Sequence, residues 1–284
     1  MGLLSGLSGL GLGNLEGMSL YETPEKENTE DIEEVEEKAP EKKIPEEGEF
    51  LFEKSYKCPV CNKDFKALSL RAGKAKLIGT DIDLRAKYEY VEPLKYDVVM
   101  CPICGCASLT RYWSNLTAMQ TKNVREQIGK AFKTKNYTGD TYTYEEALER
   151  YQMALANSIV KSAKNSEKAF ICLKTGWLMR AYAESMDPKA PNYEKDYKEA
   201  KDLETEYLKN SLEGFVNARR SENTPICGMD ETTLDYLIAA LSTKFGQYEQ
   251  AAKLVSSIIT SRTANSRMKD KARLLKEEIQ KSIG

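Results

Sequence analysis

Two cysteine motifs contain the residues of this chain that are best suited to chemistry. Cys58 and Cys61 form one C-x-x-C pair, and Cys101 and Cys104 form a second pair after 39 intervening residues. A C-x-x-C turn presents both sulfurs on one side, so two facing turns supply the four thiolates of a tetrahedral zinc site. The spacing therefore predicts one structural Zn²⁺ ion held by these four cysteines in a small β zinc ribbon.

The chain contains no histidine, which reduces the kinds of metal site that it can form. It excludes the mixed Cys/His sites that are common among zinc enzymes. A redox-active C-x-x-C pair is the alternative, and it requires a low-pKa cysteine at a helix N-terminus beside a βαβ pattern. No such pattern surrounds either motif. Asn62 and Gly105 follow the two motifs instead, and both residue types tolerate the left-handed backbone of a tight turn.

The other cysteines are weaker candidates for metal ligands. Cys106 follows Cys104 with one residue between them, a spacing that suits chelation less well, so we expect a spare sulfur beside the site. Cys172 lies in an apolar helical pattern and is predicted to pack in a core. Cys227 lies between proline and glycine residues and is predicted to occupy a turn.

Composition divides the chain into three predicted parts. Residues 1–48 form a Gly/Leu-rich and acidic disordered tail, residues 49–112 the zinc ribbon, and residues 113–284 an all-α domain. Residues 21–50 carry 13 acidic and 4 basic side chains, a net charge of −9 in a chain of net charge −2. Such a run is typical of a solvated spacer. Alternatively, it folds back over a basic face and competes with an acidic partner.

The sequence also bears on location. No stretch approaches the length and apolarity of a transmembrane segment, and the uncharged first 15 residues lack the basic flank and cleavage site of a signal peptide. Seven cysteines without an export signal favour the reducing cytoplasm. Leucines recur at near-helical spacing among the glycines of residues 1–20, and we expect a docking or self-association peptide there.

A polar row lies between the two motifs. Asp81, Asp83 and Arg85 occupy alternate positions, so an extended strand would place all three on one face. The favoured interpretation is a solvent-facing side of a ribbon strand with local charge pairing. The alternative is a site in which two aspartates hold Mg²⁺, although no phosphate-binding loop lies nearby. We expect a small antiparallel sheet across residues 66–100.

From Trp113 onward, apolar residues recur at helical spacing. Thr143 begins a capping box that marks a helix start. Residues 190–220 are predicted to form one long helix with tyrosines on its apolar stripe, and residues 266–281 a capping helix. The segment 241–258, with Gly246 at a turn, resembles part of a tetratricopeptide repeat, so we expect a tetratricopeptide-like bundle of about seven helices.

The segment Cys58–Phe65, the aspartates at 81 and 83, Tyr96–Asp97 and the segment Cys101–Ala107, followed by helical repeats, resemble a bacterial family. This is the domain of unknown function numbered 2225, and the resemblance covers roughly residues 50–260. It implies a bacterial cytoplasmic protein with a zinc ribbon and tetratricopeptide-like helices. Cys106 departs from the large residue expected at its position, which keeps a role for a fifth sulfur open.

Three functions are weighed on this basis. The first is a non-catalytic adaptor that holds a protein or peptide partner in a helical groove, with the ribbon as a second contact. The second is a nucleic-acid-binding regulator, because residues 51–112 carry 11 basic and 7 acidic side chains. An enzyme is the third and least favoured, because four cysteines close a zinc site. The oligomeric state is not predicted.

Overall fold

A computed structural model describes residues 44–114, 116–134 and 139–283 of the chain. Within these ranges, short strands come first and helices follow, as the sequence predicted. The strands are β1 (Leu51–Lys57), β2 (Asp64–Leu70), β3 (Leu77–Thr80), β4 (Ala86–Tyr88), β5 (Val98–Met100) and β6 (Ala107–Leu109). The helices are α1 (Ala118–Val124), α2 (Tyr144–Val160), α3 (Asn165–Ser185), α4 (Tyr193–Ser221), α5 (Glu231–Lys244), α6 (Tyr248–Thr260) and α7 (Ser266–Ile283).

The strands form three separate antiparallel hairpins, each pairing two consecutive strands. The sequence predicted one small sheet across residues 66–100, and the structure corrects this. Strand β2 pairs backward with β1, and β5 pairs forward with β6, so only β3 and β4 pair with each other inside that range. Each cysteine motif forms the loop of a hairpin, the first between β1 and β2 and the second between β5 and β6.

The predicted polar strand at Asp81, Asp83 and Arg85 is wrong in both conformation and exposure. These residues form the loop of the β3–β4 hairpin, in which the amide of Leu84 donates to the carbonyl of Asp81. Leu84 has a φ of 71°, which no strand permits. Asp83 and Arg85 are 3% and 1% exposed, so they face the interior. Polar residues at alternate positions indicated a strand. The chain reverses direction in this loop, so alternate positions do not share one face.

Several helix boundaries follow the predicted signals. The hydroxyl of Thr143 accepts from the amide of Glu146, whose carboxylate accepts from the amide of Thr143, so the capping box is confirmed. Gly246, with a φ of 71°, makes the tight turn between α5 and α6. The long helix and the final helix are confirmed as α4 and α7. Tyr197 on α4 is an exception, because it is exposed rather than part of the core.

One hydrophobic core joins the second cysteine hairpin to the helices. Val98 and Leu109 of β5 and β6 pack in the same cluster as Tyr151 of α2, Leu178 of α3 and Phe215 of α4. A smaller cluster surrounds the four cysteines, and another joins α5, α6 and α7. Because the largest core includes both strands and helices, folding of the second cysteine hairpin is coupled to that of the helical part. The predicted boundary at residues 112 and 113 stays a prediction.

The predicted tail, with its leucine-rich and acidic stretches, lies outside the described residues up to position 43. Near its predicted end, Glu47 accepts hydrogen bonds from Lys95 at 2.7 Å and from the hydroxyl of Tyr96 at 3.0 Å. Residue 47 therefore belongs to the folded part. Among the helices in the described ranges, none combines the length and apolarity that crossing a membrane requires.

Candidate metal centre

The two cysteine motifs have the same backbone design. In the first loop, the amide of Cys58 donates to the carbonyl of Lys63, and the amide of Asn62 donates to the carbonyl of Cys58, both at 3.0 Å. In the second, Cys101 pairs in the same way with Cys106 at 2.8 Å and with Gly105 at 3.0 Å. Asn62 and Gly105 have φ values of 58° and 65°, as predicted for these turn positions.

The loops bring the four predicted ligands together. The sulfurs of Cys58, Cys61, Cys101 and Cys104 all lie within 4.8 Å of one another. Two contacts cross between the loops, with Sγ–Sγ distances of 3.5 Å from Cys58 to Cys104 and 3.7 Å from Cys61 to Cys101. A tetrahedron with Zn–S bonds of about 2.3 Å separates its sulfurs by about 3.8 Å. The spacing of the sulfurs therefore fits a tetrahedral ion of this size.

Aromatic and cationic side chains fix the first loop. Tyr56, Phe65 and Trp113 form a triad with ring centroids 5.6–5.9 Å apart. The indole of Trp113 donates to the carbonyl of Lys57 at 3.2 Å. Arg125, which follows α1, donates to the carbonyl of Val60 at 2.6 Å. Trp113 and Arg125, which anchor this loop, both lie outside the predicted ribbon.

The second loop is held by helix α2. Asn157 donates from Nδ2 to the carbonyl of Gly105 at 2.9 Å. A Cβ atom added at Gly105 would lie 2.5 Å from the ring of Phe132, so a side chain there would displace this packing. Arg150, also on α2, donates to the carbonyl of Val98 in β5 at 3.1 Å. The position of the second pair of sulfurs therefore depends on α2.

The sulfur cluster is electrostatically suited to a cation. Hydrogen bonds from Cys101, Cys104 and Cys106 lower the pKa of Cys58 well below its usual range. The bonds to Cys101 and Cys58 raise the pKa of Cys104, because they favour its protonated form. Negative charge on the sulfur of Cys58 thus disfavours ionisation of Cys104 beside it. A divalent cation removes this limit, because it stabilises all four as thiolates.

The remaining cysteines lie where the sequence placed them. Cys106 is buried beside Cys58 but outside the group of four sulfurs. Cys172 is buried on α3, at 6% exposure. Cys227 has a φ of 50° in a turn closed by Ile226 and Met229, and its sulfur donates to the carbonyl of Ser166.

The polar row forms a buried charge network rather than a metal site. Arg180 on α3 donates to Asp81, to both carboxylate oxygens of Asp83, and to Glu204 on α4. Arg85 binds Asp81 at 2.7 Å. Sequence reasoning missed Arg180 and Glu204. A signal existed for Glu204, because it lies between Ala200 and Leu208 on the apolar stripe of α4, where an acid requires a buried cation.

A groove runs along the helical part of the protein. Its floor is α3, and its walls are α2 and α4. One depression of about 630 Å³ is lined by residues such as Leu155, Ile159 and Tyr207. A second, of about 280 Å³, is lined by Tyr144, Tyr182 and neighbouring residues. Leu203 on α4 lines both depressions, so they are adjacent along one groove.

Comparison with known proteins identifies a family. Searches of the curated proteins and of the solved structures find no match. The model of the family DUF2225, described as an uncharacterized protein conserved in bacteria, matches residues 51–279. The matched range includes both cysteine loops and six complete helices, and it extends into α7. The chain therefore belongs to the DUF2225 family, as the resemblance of its cysteine motifs indicated.

Proposed function

We propose that this protein is a non-catalytic zinc-binding adaptor of the cytoplasm that holds a segment of a protein partner in its helical groove. The observation that carries this proposal is the groove between α2 and α4, with Ile159 on its wall 62% exposed. A large apolar side chain in a groove gains free energy when a partner covers it, at about 25 cal/mol per Å² of area buried. The segment with the clearest tetratricopeptide-like signal, residues 241–258, lies in α5 and α6 and does not line this groove.

The metal centre supports the groove in this account. A Zn²⁺ ion bound by Cys58, Cys61, Cys101 and Cys104 would tie the first loop to the second. The second loop in turn contacts α2 through Asn157, and α2 is one wall of the groove. Metal binding therefore stabilises the wall at a distance from the partner. Four cysteine ligands leave no coordination position for a substrate, which favours a structural role over catalysis.

Asp81 and Asp83 are poorly placed to act as the acid and base of an enzyme site. An acid and a base must reach a substrate, whereas Asp83 is buried and both Asp81 and Asp83 are held by Arg180. Their hydrogen bonds are used within the fold. This favours a structural role for the polar row and agrees with the non-catalytic proposal.

The nucleic-acid alternative depends on the basic excess of residues 51–112. Several of these cations are already paired with carboxylates of the protein. Arg85 is buried among carboxylates, Lys95 binds Glu47, and Lys66 pairs with Glu53. Phe65, the aromatic residue nearest the basic run, packs on Tyr56 and Trp113 instead of facing solvent as a stacking platform. These contacts favour the adaptor.

A capture experiment with the full chain tests the proposal. Wild-type protein, Ile159→Asp and the control Leu274→Asp are immobilised and exposed to a native bacterial lysate with and without nuclease. Leu274 lies on α7 at 64% exposure, which matches the exposure of Ile159. The adaptor predicts captured proteins that survive nuclease and are lost only with Ile159→Asp. If capture requires nucleic acid and is unaffected by Ile159→Asp, the proposal is overturned in favour of the nucleic-acid-binding alternative.

A further inference from the structure

We propose that the segment held in the groove is cationic, with lysine or arginine side chains alternating with apolar ones in an extended conformation. This inference rests on the proposed function and adds the chemistry of the partner. It follows from the charges along the groove, from the apolar side chains that line it, and from its length. Each of these is a property of helices α2, α3 and α4.

The charged side chains that line the groove are mainly acidic. Glu206 and Glu213 lie along the larger depression, together with one cation, Lys168. Glu145, Asp196 and Glu199 lie along the smaller depression. Five carboxylates and one ammonium group therefore face the space that a partner would fill. A field of this sign attracts a positively charged segment and repels a negatively charged one.

These carboxylates differ from the buried acids of the fold. Glu204 binds Arg180, Lys201 and Lys244, and Asp235 binds Arg219. Within the described residues, no lysine or arginine lies within salt-bridge distance of the five groove carboxylates. The groove thus presents carboxylates that form no ion pair within the described part of the chain, although Glu145 accepts a hydrogen bond from the hydroxyl of Tyr182. A cationic partner supplies the compensation.

Apolar and amide groups lie between the charges. Leu155, Ile159 and Leu203 provide apolar contacts along the larger depression. Side-chain amides of Gln152, Asn165, Asn210 and Asn217 lie along the same depression. An amide offers both donors and an acceptor, which is what the backbone of an extended segment requires. The combination suits alternating side chains, with apolar ones packed against Leu155, Ile159 and Leu203 and cationic ones beside the groove carboxylates.

The length of the groove sets the size of the segment. Along α2, the lining extends from Tyr144 to Ile159. These 15 steps along a helix span about 22 Å. An extended chain covers this distance with about seven residues at 3.3 Å each. A short linear segment of a partner is therefore long enough to occupy the groove fully.

The test uses two labelled heptapeptides and fluorescence anisotropy with the full chain. One peptide alternates lysine with leucine, and the other alternates glutamate with leucine. The protein variants are Glu206→Lys/Glu213→Lys in the groove and, as the matched control, Glu277→Lys/Glu278→Lys on exposed positions of α7. Residues 1–43 are present in every variant, so their acidic charge cancels from the comparison.

The proposal expects the lysine peptide to bind wild-type protein more tightly than the glutamate peptide. The groove double variant should bind the lysine peptide about tenfold more weakly than the wild type, because each charge reversal replaces an attraction by a repulsion. The α7 double variant should bind it as tightly as the wild type does. Equal weakening in both double variants would overturn the proposal, since the binding would then be a general charge effect.

Ile159→Asp separates failure of this inference from failure of the proposed function. If the glutamate peptide binds at least as well as the lysine peptide and Ile159→Asp abolishes that binding, the cationic partner is wrong and the groove still binds peptides. If Ile159→Asp changes the affinity of neither peptide, both the inference and the peptide-binding function are contradicted. If Ile159→Asp abolishes binding of the lysine peptide and leaves that of the glutamate peptide unchanged, both the inference and the proposed function are supported.

Discussion

Arg180 and Asp83 are joined by two parallel hydrogen bonds, from Nη1 to Oδ1 at 2.9 Å and from Nη2 to Oδ2 at 2.6 Å. The same guanidinium donates to Glu204 on α4 at 2.8 Å. Arg180 therefore connects the β3–β4 loop with two helices. Trp177, one turn earlier on α3, adds a bond from its indole to Asp83 at 3.0 Å.

Replacing Arg180 should therefore destabilise the protein strongly. Arg180→Met leaves the buried carboxylate of Asp83 without its bidentate cation and removes one cation from Glu204. Breaking a buried ion pair in this way costs about 3–5 kcal/mol of unfolding free energy. Urea unfolding followed by circular dichroism measures the change.

Lys253→Met is the matched control for that substitution. Lys253 pairs with Glu249 on the surface of α6, where the two side chains are 74% and 86% exposed. Exposed pairs contribute about 0–1 kcal/mol. Similar small losses for Lys253→Met and Arg180→Met would show that the buried network contributes little.

Glu204 should make the stability depend on pH. Burial raises its pKa, but Lys201, Lys244 and Arg180 together lower the pKa to about 2 from the ordinary 4.5. A carboxyl whose folded pKa is depressed stabilises the fold above its unfolded pKa and loses that contribution as pH falls. Wild-type stability should therefore decline between pH 4.5 and 2, by about 3 kcal/mol from this group.

Glu204→Gln provides the comparison, because it removes the titration while keeping the size of the side chain. We expect its unfolding free energy to fall less steeply than that of the wild type as the pH drops from 6 to 3. Parallel curves for the two proteins would contradict the assignment of this pH dependence to Glu204.

Glycine should be required at position 246 because of the backbone conformation there, and not because a larger side chain would lack space. Its φ is 71°, and nothing lies within 4 Å of an added Cβ. Gly246→Ala should cost about 1 kcal/mol in thermal or urea unfolding, because a side chain disfavours left-handed backbone. Gly79 has equally open surroundings without a positive φ. If Gly79→Ala is as costly as Gly246→Ala, the explanation through φ fails.

Local chemistry explains which features the sequence predicted. The cysteine quartet, the capping box at Thr143 and the turn at Gly246 each depend on residues that are close in sequence or on a fixed ligand spacing. The loop with Asp83 was mistaken for a strand, because its burial depends on Arg180, 97 positions later. No pattern within residues 77–88 reveals that partner.

The sequence also did not determine which strands pair with each other. Short strands of three or four residues such as β4 and β5 carry too few side chains to specify one register by alternation. The loops decide the pairing, because each six-residue cysteine loop closes its own hairpin. For the groove, the sequence predicted a partner site without its location, since the wall-forming faces of α2 and α4 emerge only from packing on α3.

Removal of the metal should loosen the protein unevenly. Hydrogen exchange after treatment with a chelator and reductant should show lost protection in β1, β2 and the two cysteine loops, which contain the sulfurs and depend on them. Helices α5–α7 share a hydrophobic cluster that contains none of the cysteines, and they should keep their protection. Uniform protection in all these elements would show that the cluster of sulfurs needs no ion.

The most direct test of the account is the zinc content of the purified protein, measured by inductively coupled plasma mass spectrometry. We expect one zinc per chain in the wild type and in the controls Cys106→Ser and Cys172→Ser. Cys61→Ser, which removes one predicted ligand, should bind substantially less. A wild type that neither carries nor takes up zinc, or a Cys61→Ser variant with full zinc content, would contradict the metal centre.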